Sequence, residues 1–138
     1  MKELVHQFIK QYKLGVIATT NEAGRPEAAL VGIAVSDKLE IIFDTLTTSR
    51  KYHNILRNPR VAVVIGWDNE TTVQYEGVAE VLGDDKEAEN LREIYYQVYP
   101  DGRERAKTWP GLVHIKIIPR WLRYSNFNDP MTIEEMKF

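Results

Sequence analysis

Hydroxyl and basic side chains are concentrated in the segment TLTTSRK, residues 45–51, and this combination is suited to binding an anion. Three threonines and Ser49 supply hydroxyls, Arg50 offers a planar set of donors, and Lys51 adds a mobile positive charge. The pattern predicts a short helix that begins at Ser49, so the first-turn N–H groups lack acceptors within the helix. Because the start of a helix is already positive, two cations there favour a bound anion such as phosphate.

Two other interpretations of these cations stay open from the residues alone. Exposed cations in a first helical turn cost only a few tenths to about 1 kcal/mol, so Arg50 and Lys51 are also compatible with a solvated surface. With Arg57 and Arg60 they form a basic cluster, which is one feature of nucleic-acid sites. The formal net charge of −2 and the lack of a neighbouring aromatic stripe argue against that use. We expect no nucleic-acid partner.

A second feature is the run AALVGIA, residues 28–34, in which small side chains recur on one strand face. Ala28, Leu30, Gly32 and Ala34 share that face, whereas the bulkier alternate residues suit a core. Small residues would let a planar ring approach the backbone, as the ring of flavin mononucleotide (FMN) would. They would equally permit close packing of a strand or subunit, which is the simpler interpretation of the pattern alone.

The remaining elements are short strands with few helices. Helices are predicted at residues 2–12, from Ser49 into the following apolar positions, at 84–99 and at 103–109. Strands are predicted at residues 14–20, 27–35, 38–45, 60–67, 71–81, 111–118 and 120–127, with Pro119 separating the last two. Six or seven strands joined as hairpins indicate an α+β, mainly β fold, either an antiparallel barrel or a sandwich. Strands 28–35 and 60–66 are apolar on both faces, so a helix, a ligand or a second chain must cover one face, and a homodimer is the simplest cover.

Composition limits the possible chemistry. The 138 residues, of 16.0 kDa, fit a single domain, residues 1–138. There is no cysteine, which excludes disulfides and thiolate chemistry, and a cytoplasmic location is expected. No apolar run reaches the roughly 18 residues of a membrane span, and the charged N-terminal residues do not resemble a signal peptide. His6, His53 and His114 show no metal-ligand spacing, so no metal site is expected.

The order of these segments resembles the pyridoxamine 5′-phosphate oxidase-like, FMN-binding split-barrel superfamily from about Leu14 to Phe127. The most specific part is TTSRKYHNILRNPRVAVVI, residues 47–65, which is similar to that family's phosphate-binding helix and the strand after it. The resemblance implies a six-stranded antiparallel Greek-key split β-barrel with a few short peripheral helices. It also implies a homodimer with two FMN sites at the subunit interface. The net charge of −2 gives no attraction to an anionic membrane, so no membrane partner is expected.

Position by position, the resemblance assigns roles in binding FMN. Arg50 and Lys51 would hold the phosphate with Thr48 and Ser49 beside them, and Asp44 and Thr45 would meet the ribityl chain or the phosphate. The strand backbone from Ala29 to Ala34 would bond the edge of the isoalloxazine ring, and C-terminal aromatics would contact the ring. The implied cofactor-binding residues are Ala29, Leu30, Val31, Gly32, Ile33, Ala34, Asp44, Thr45, Thr48, Ser49, Arg50, Lys51, Gln74, Trp121 and Tyr124.

Departures from the family pattern limit the implied function. Ala29 and Ala34 stand where the oxidases carry basic residues, and the family's glutamine falls at Thr72, with Gln74 on the same strand face as a substitute. The segment NDPMTIEEMKF lacks the arginine and histidine that grip substrate phosphate, so a true pyridoxamine-phosphate oxidase is not expected. The expected function is that of an FMN-dependent oxidoreductase with an unassigned small-molecule redox partner. The alternatives are a non-catalytic flavin carrier, sensor or stress-response protein, and a relative that binds haem or a deazaflavin.

Overall fold

The structure is a computed structural model that describes residues 1–138. It has four helices and one curled antiparallel sheet of eight strands. The helices are α1 (Lys2–Lys10), α2 (Arg50–Arg57), α3 (Lys86–Val98) and α4 (Gly102–Thr108). The strands are β1 (Leu14–Thr20), β2 (Pro26–Gly32), β3 (Ala34–Val35), β4 (Ile41–Leu46), β5 (Arg60–Ile65), β6 (Thr71–Val81), β7 (Leu112–Asn126) and β8 (Thr132–Lys137).

The strand order forces the sheet to curl into a split barrel. The order is β2-β1-β5-β6-β7-β4-β3, with β8 added beside β7. Its two end strands, β2 and β3, are separated in the chain by Ile33 alone, so the two ends of the sheet must lie together. No β2–β4 ladder forms, and the gap between those strands is the split. The predicted mainly-β split barrel is thereby confirmed.

The strand count differs slightly from the predicted six. Residues 26–35 form one bent segment that pairs with β1 through β2 and with β4 through β3. Counted as one strand, this segment and five others make the six that were predicted, and β8 is an addition that the sequence did not indicate. β8 pairs with β7 from Trp121↔Lys137 to Asn126↔Thr132 and has only one neighbour.

The prediction that Pro119 separates two strands, at 111–118 and 120–127, is wrong. β7 runs unbroken through it, and the register against β6 shifts between Glu76 and Gly77, which leaves Arg120 without a partner on β6. A proline lacks the N–H that a regular ladder needs, and bulges are among the few places in a sheet that tolerate it. The sequence pattern shows the proline but not the bulge that accommodates it.

The barrel interior forms the larger of two apolar clusters. Alternate residues of the strands point inward, among them Ile17, Phe43, Val63 and Ile115, which are at most 2% exposed. Helix α1 adds Val5, Phe8 and Ile9 to the same cluster of 21 buried residues. Burial of apolar area on this scale is the main favourable term in the fold.

The outer faces of the sheet are covered unequally. Helix α3 packs on the outside of β3 and β4, where Ala34 and Ile42 meet Ala88, Leu91 and Tyr95. The outer face of β2, β1, β5 and β6, in contrast, has no helix over it, and Leu30 and Val64 are 61% and 42% exposed there. Helix α3 therefore provides part of the covering that the sequence predicted for strands that are apolar on both faces. The outer face of β2, β1, β5 and β6 stays uncovered within one chain.

Two helices begin where the sequence predicted. The Asp85 side chain accepts from the N–H of Ala88 at 2.9 Å and begins α3, and Ser49 caps α2. In α2 the inward residue beside Ile55 is Asn54, 5% exposed, whereas Leu56 is 60% exposed. None of the four helices combines the length and the hydropathy that crossing a bilayer would require.

Replacing Gly77 with alanine should destabilise the fold. A Cβ atom at Gly77 would overlap the carbonyl oxygen of Ile118 and lie 2.7 Å from a methyl group of Ile117. Because the first contact is with backbone, we expect Gly77→Ala to lower the free energy of unfolding by about 2 kcal/mol in urea titrations. Gly83→Ala is the matched control, since a Cβ there has nothing within 4 Å. Equal stabilities for the two variants would contradict this account of the bulge.

Candidate functional site

The start of α2 brings together three of the predicted residues. The hydroxyl of Thr45, at the end of β4, donates to Ser49 Oγ at 2.9 Å, and Ser49 Oγ accepts from the N–H of Tyr52 at 3.2 Å. Lys51 Nζ lies 3.5 Å from Thr45 Oγ1. The side chain of Ser49 satisfies only the Tyr52 amide, so the earlier amides of α2 still need acceptors.

Lys51 is a partly buried cation without a carboxylate partner. It takes part in no ion pair, and its one hydrogen bond is the long contact to Thr45. Burial lowers the pKa of Lys51, and the positive charge of Arg50 lowers it further. Both effects disfavour the charged form, so a bound anion at this ammonium would be stabilising.

Arg50, in contrast, has an acidic partner that the sequence did not lead us to expect. Its Nη1 atom lies 3.2 Å from Oε2 of Glu27, on β2. Glu27 also accepts hydrogen bonds from Asn54 at 2.8 Å and from Asn21 at 3.1 Å. The hydrogen bond from Asn54 is the largest cause that lowers the pKa of Glu27, followed by the one from Asn21. The sequence contained one indication that Glu27 points inward. Residue 27 lies on the same strand face as Ala29 and Val31, which suit the core.

A small cavity lies among these groups. Its volume is about 90 Å³, and the residues that line it are Ile17, Thr19, Glu27, Ala28, Ala29, Arg50 and Lys51. A larger cavity of about 300 Å³ lies between α1 and α3, away from these cations. The small cavity is the one that matters here, because its lining combines Arg50 and Lys51 with the free edge of β2.

The strand predicted to meet a ring is divided between two environments. β2 pairs only with β1, so backbone groups along its other edge, from Ala29 onward, have no strand partner. Gly32 is covered, since a Cβ there would lie 2.7 Å from the Tyr99 ring, and Ala34 is buried under α3. At these two positions the small residues serve close packing. Val31 and Ile33 point into the core, and Leu30 points outward.

Asp44 is not brought to this cavity. It neighbours Thr45 in β4, and successive residues of a strand point to opposite faces, so its carboxylate lies on the α3 side. There Asp44 Oδ2 is 3.1 Å from Arg105 Nη2, and the same nitrogen lies 3.3 Å from the Tyr95 hydroxyl. Thr48 is near the start of α2 with its side chain exposed.

The remaining predicted residues do not join the cavity at the start of α2. Gln74 on β6 and Trp121 on β7 are on the outer sheet face, whereas the strand residues Ile17, Thr19 and Glu27 that line the cavity face inward. Tyr124, three positions after Trp121, points to the other face. It is 7% exposed in the core, where its ring meets that of Phe8 edge-on at 5.6 Å.

The family model described as pyridoxamine 5′-phosphate oxidase matches residues 1–126 of this chain. The chain belongs to this family. It is 34% identical over 94 residues to a pyridoxine/pyridoxamine 5′-phosphate oxidase of Bordetella avium, an alignment that covers 67% of this chain and 42% of that protein. The chain thus spans less than half the length of the curated relatives that it matches.

Solved structures of low sequence identity share the family fold. A haem-binding protein from Mycobacterium smegmatis superposes with a TM-score of 0.84 at 14% identity, over 99% of this chain and 57% of that one. General Stress Protein 26 from Bacillus anthracis gives 0.71 at 22% identity, over 99% and 98% of the two chains. Members of the family bind flavin or haem. The expected superfamily and its fold are confirmed, whereas the individual cofactor residues stay predictions.

A buried histidine lies beside the Asp44–Arg105 pair. His114 is 3% exposed, its Nδ1 accepts from Arg92 Nε at 3.4 Å, and its Nε2 has no hydrogen-bond partner. Burial lowers the pKa of His114, and the charge of Arg92 lowers it further. The imidazole is therefore held neutral in the folded protein.

His114 should make the fold less stable in mild acid. The unfolded chain binds this proton with a pKa of about 6.5, above the lowered value in the folded state, so stability falls as the pH drops below about 6.5. The expected slope approaches about 1.4 kcal/mol per pH unit. His114→Phe should remove this part of the slope in urea titrations between pH 5 and 7, and the exposed His53→Gln should leave it. An unchanged slope in His114→Phe would contradict the assignment.

Proposed function

We propose that this chain binds FMN and acts as an FMN-dependent oxidoreductase on a small-molecule redox partner in the cytoplasm. The observation that carries the proposal is the partly buried Lys51 ammonium, which has no acidic partner and lies at the start of α2. Family membership supports it, because members bind flavin or haem. A phosphate would supply the negative charge that Lys51 lacks and acceptors for the first amides of α2.

The residues present fit a flavin phosphate in most respects. Lys51 and Arg50 would bind its oxygens, and the hydroxyls of Thr48 and Ser49 stand next to them in the chain. Beyond the phosphate, the unpaired edge of β2 offers backbone groups to the polar rim of a ring. Bound FMN would supply hydride transfer, so the protein's part is to hold the ring and leave one face accessible.

A homodimer is part of the proposal because one chain does not complete the site. Cross-strand neighbours Leu30, Val16 and Val64 form an apolar row on the uncovered outer face. The next row consists of Ala28, Ala18 and Ala62, whose small side chains permit close approach of another sheet. A two-fold related copy on this face would be self-complementary and would present its Gln74 and Trp121 near the first chain's β2.

Haem is the second candidate, favoured by the similarity to a haem-binding protein of the same fold. Haem iron in proteins commonly takes an axial histidine or a similar ligand. Of the three histidines only His53, exposed on α2, stands near the proposed site, whereas His114 is buried under α3. Flavin, or a deazaflavin with the same phosphate, fits these residues better than haem. Absorption spectra of the purified protein titrated with each cofactor distinguish the three.

Removing the two cations should abolish phosphate-dependent binding. Charge-assisted hydrogen bonds are worth roughly 1.5–3 kcal/mol each, so Arg50→Ala with Lys51→Ala should weaken FMN binding by at least about 100-fold. Riboflavin, which has no phosphate, should be affected far less. Flavin-fluorescence titration provides the measurement, with Lys2→Ala plus Lys10→Ala on α1 as the charge-matched control. Unchanged FMN affinity in the first variant would show that the phosphate lies elsewhere.

Charging the outer face should separate the subunits and release the cofactor. Light scattering should give the wild type a mass of twice 16.0 kDa, and Leu30→Glu with Val64→Glu a single-chain mass, because two buried carboxylates would oppose packing of the sheets. The monomer should also lose FMN affinity. Leu56→Glu, at an equally exposed leucine outside this face, should remain dimeric. A wild-type monomer that binds FMN would refute the interfacial site.

A further inference from the structure

A fixed carboxylate shares the small cavity with the two cations. Asn54 is 5% exposed, and its side-chain nitrogen donates both to Glu27 at 2.8 Å and to Thr19 Oγ1 at 3.0 Å. The side-chain amide of Asn54 has two N–H donors, and both are used. Breaking either hydrogen bond would leave a buried polar group without its partner. Asn21 holds the other side of the same carboxylate at 3.1 Å. Glu27 is therefore held in place independently of Arg50.

Arg50 is held much less firmly. The Arg50 side chain is 76% exposed, and its one polar contact is the 3.2 Å pair with Glu27, whose side chain is 17% exposed. Exposed ion pairs contribute little to stability, so the guanidinium is free to turn to another anion. When the guanidinium turns away, the Glu27 carboxylate stays in place because Asn54 and Asn21 hold it.

The charge in the cavity is consequently smaller than its two cations suggest. Arg50 and Lys51 supply two positive charges and Glu27 one negative charge, and all three line the same 90 Å³ space. The hydrogen bonds from Asn54 and Asn21 lower the pKa of Glu27, so it stays ionised at neutral pH. An ionised carboxylate only accepts hydrogen bonds. It repels a fully ionised phosphate and accepts from a protonated phosphate or a sugar hydroxyl.

We propose that Glu27 is a specificity-determining residue of the anion site: it competes for Arg50 and weakens the binding of dianionic phosphate. This inference rests on the proposed flavin site and concerns how much the phosphate adds to affinity. The measurable quantity is the ratio of FMN affinity to riboflavin affinity, since the two ligands differ only in the phosphate. Glu27 keeps that ratio low.

The test compares three variants in flavin titrations at low ionic strength. Glu27→Gln keeps the size of the side chain and an acceptor for Asn54 but removes the charge, so the ratio of FMN to riboflavin affinity should rise by about tenfold. Glu27→Asp retains the charge and should raise the ratio less than Glu27→Gln does. Glu22→Gln, in the turn before β2, changes the net charge equally without an ion pair to Arg50 and should keep the wild-type ratio. An unchanged or lower ratio in Glu27→Gln would overturn the inference.

A second measurement separates this inference from the flavin proposal. Inorganic phosphate is titrated against the backbone amide NMR signals of residues 48–52 in the wild type and in Glu27→Gln. Tighter phosphate binding by Glu27→Gln supports the role of Glu27 even if neither protein binds flavin, a result that would reject only the proposed cofactor. Equal phosphate affinities reject the role of Glu27, whatever the flavin titrations show.

Discussion

The continuity of residues 26–35 is the constraint on which the rest of the structure depends. This segment pairs with β1 at one end of the sheet and with β4 at the other, with Ile33 between the two ladders. Because a chain cannot separate at that residue, the sheet closes on itself and encloses the larger core. The closure remains incomplete between β2 and β4, and the start of α2 lies beside this split. The candidate site is thus a product of how the barrel closes.

Charge at the split is balanced by local geometry. Two cations at a positive helix start are disfavoured, and in this fold the two cations have different partners. Arg50 finds Glu27 across the split, on a strand that only the barrel closure brings near α2. Lys51 contacts the hydroxyl of Thr45 but no carboxylate. The unequal treatment of adjacent cations identifies Lys51 as the residue that most needs a ligand and Glu27 as the residue that opposes a highly charged one.

Strand periodicity explains why residues that were grouped by sequence separate in space. Asp44 and Thr45 are adjacent in β4, yet one meets Arg105 under α4 and the other meets Ser49 at α2. Trp121 and Tyr124 divide in the same way between the outer face and the core. A resemblance in sequence assigns positions to a site, but the period of two decides which of them face it. Gln74 and Trp121 face the outer side of the sheet, opposite to the core.

The sequence by itself determined the fold class, most element positions, the Ser49 cap of α2 and the cluster of Thr45, Ser49 and Lys51. These follow from local rules, since capping, turns and apolar period act between residues close in the chain. Only the tertiary structure decided that Glu27 neutralises Arg50, that Tyr99 fills the space above Gly32, and that β7 passes Pro119 through a bulge. Each of those contacts joins residues more than 20 positions apart, and their meeting depends on strand register and barrel closure, which no local pattern specifies.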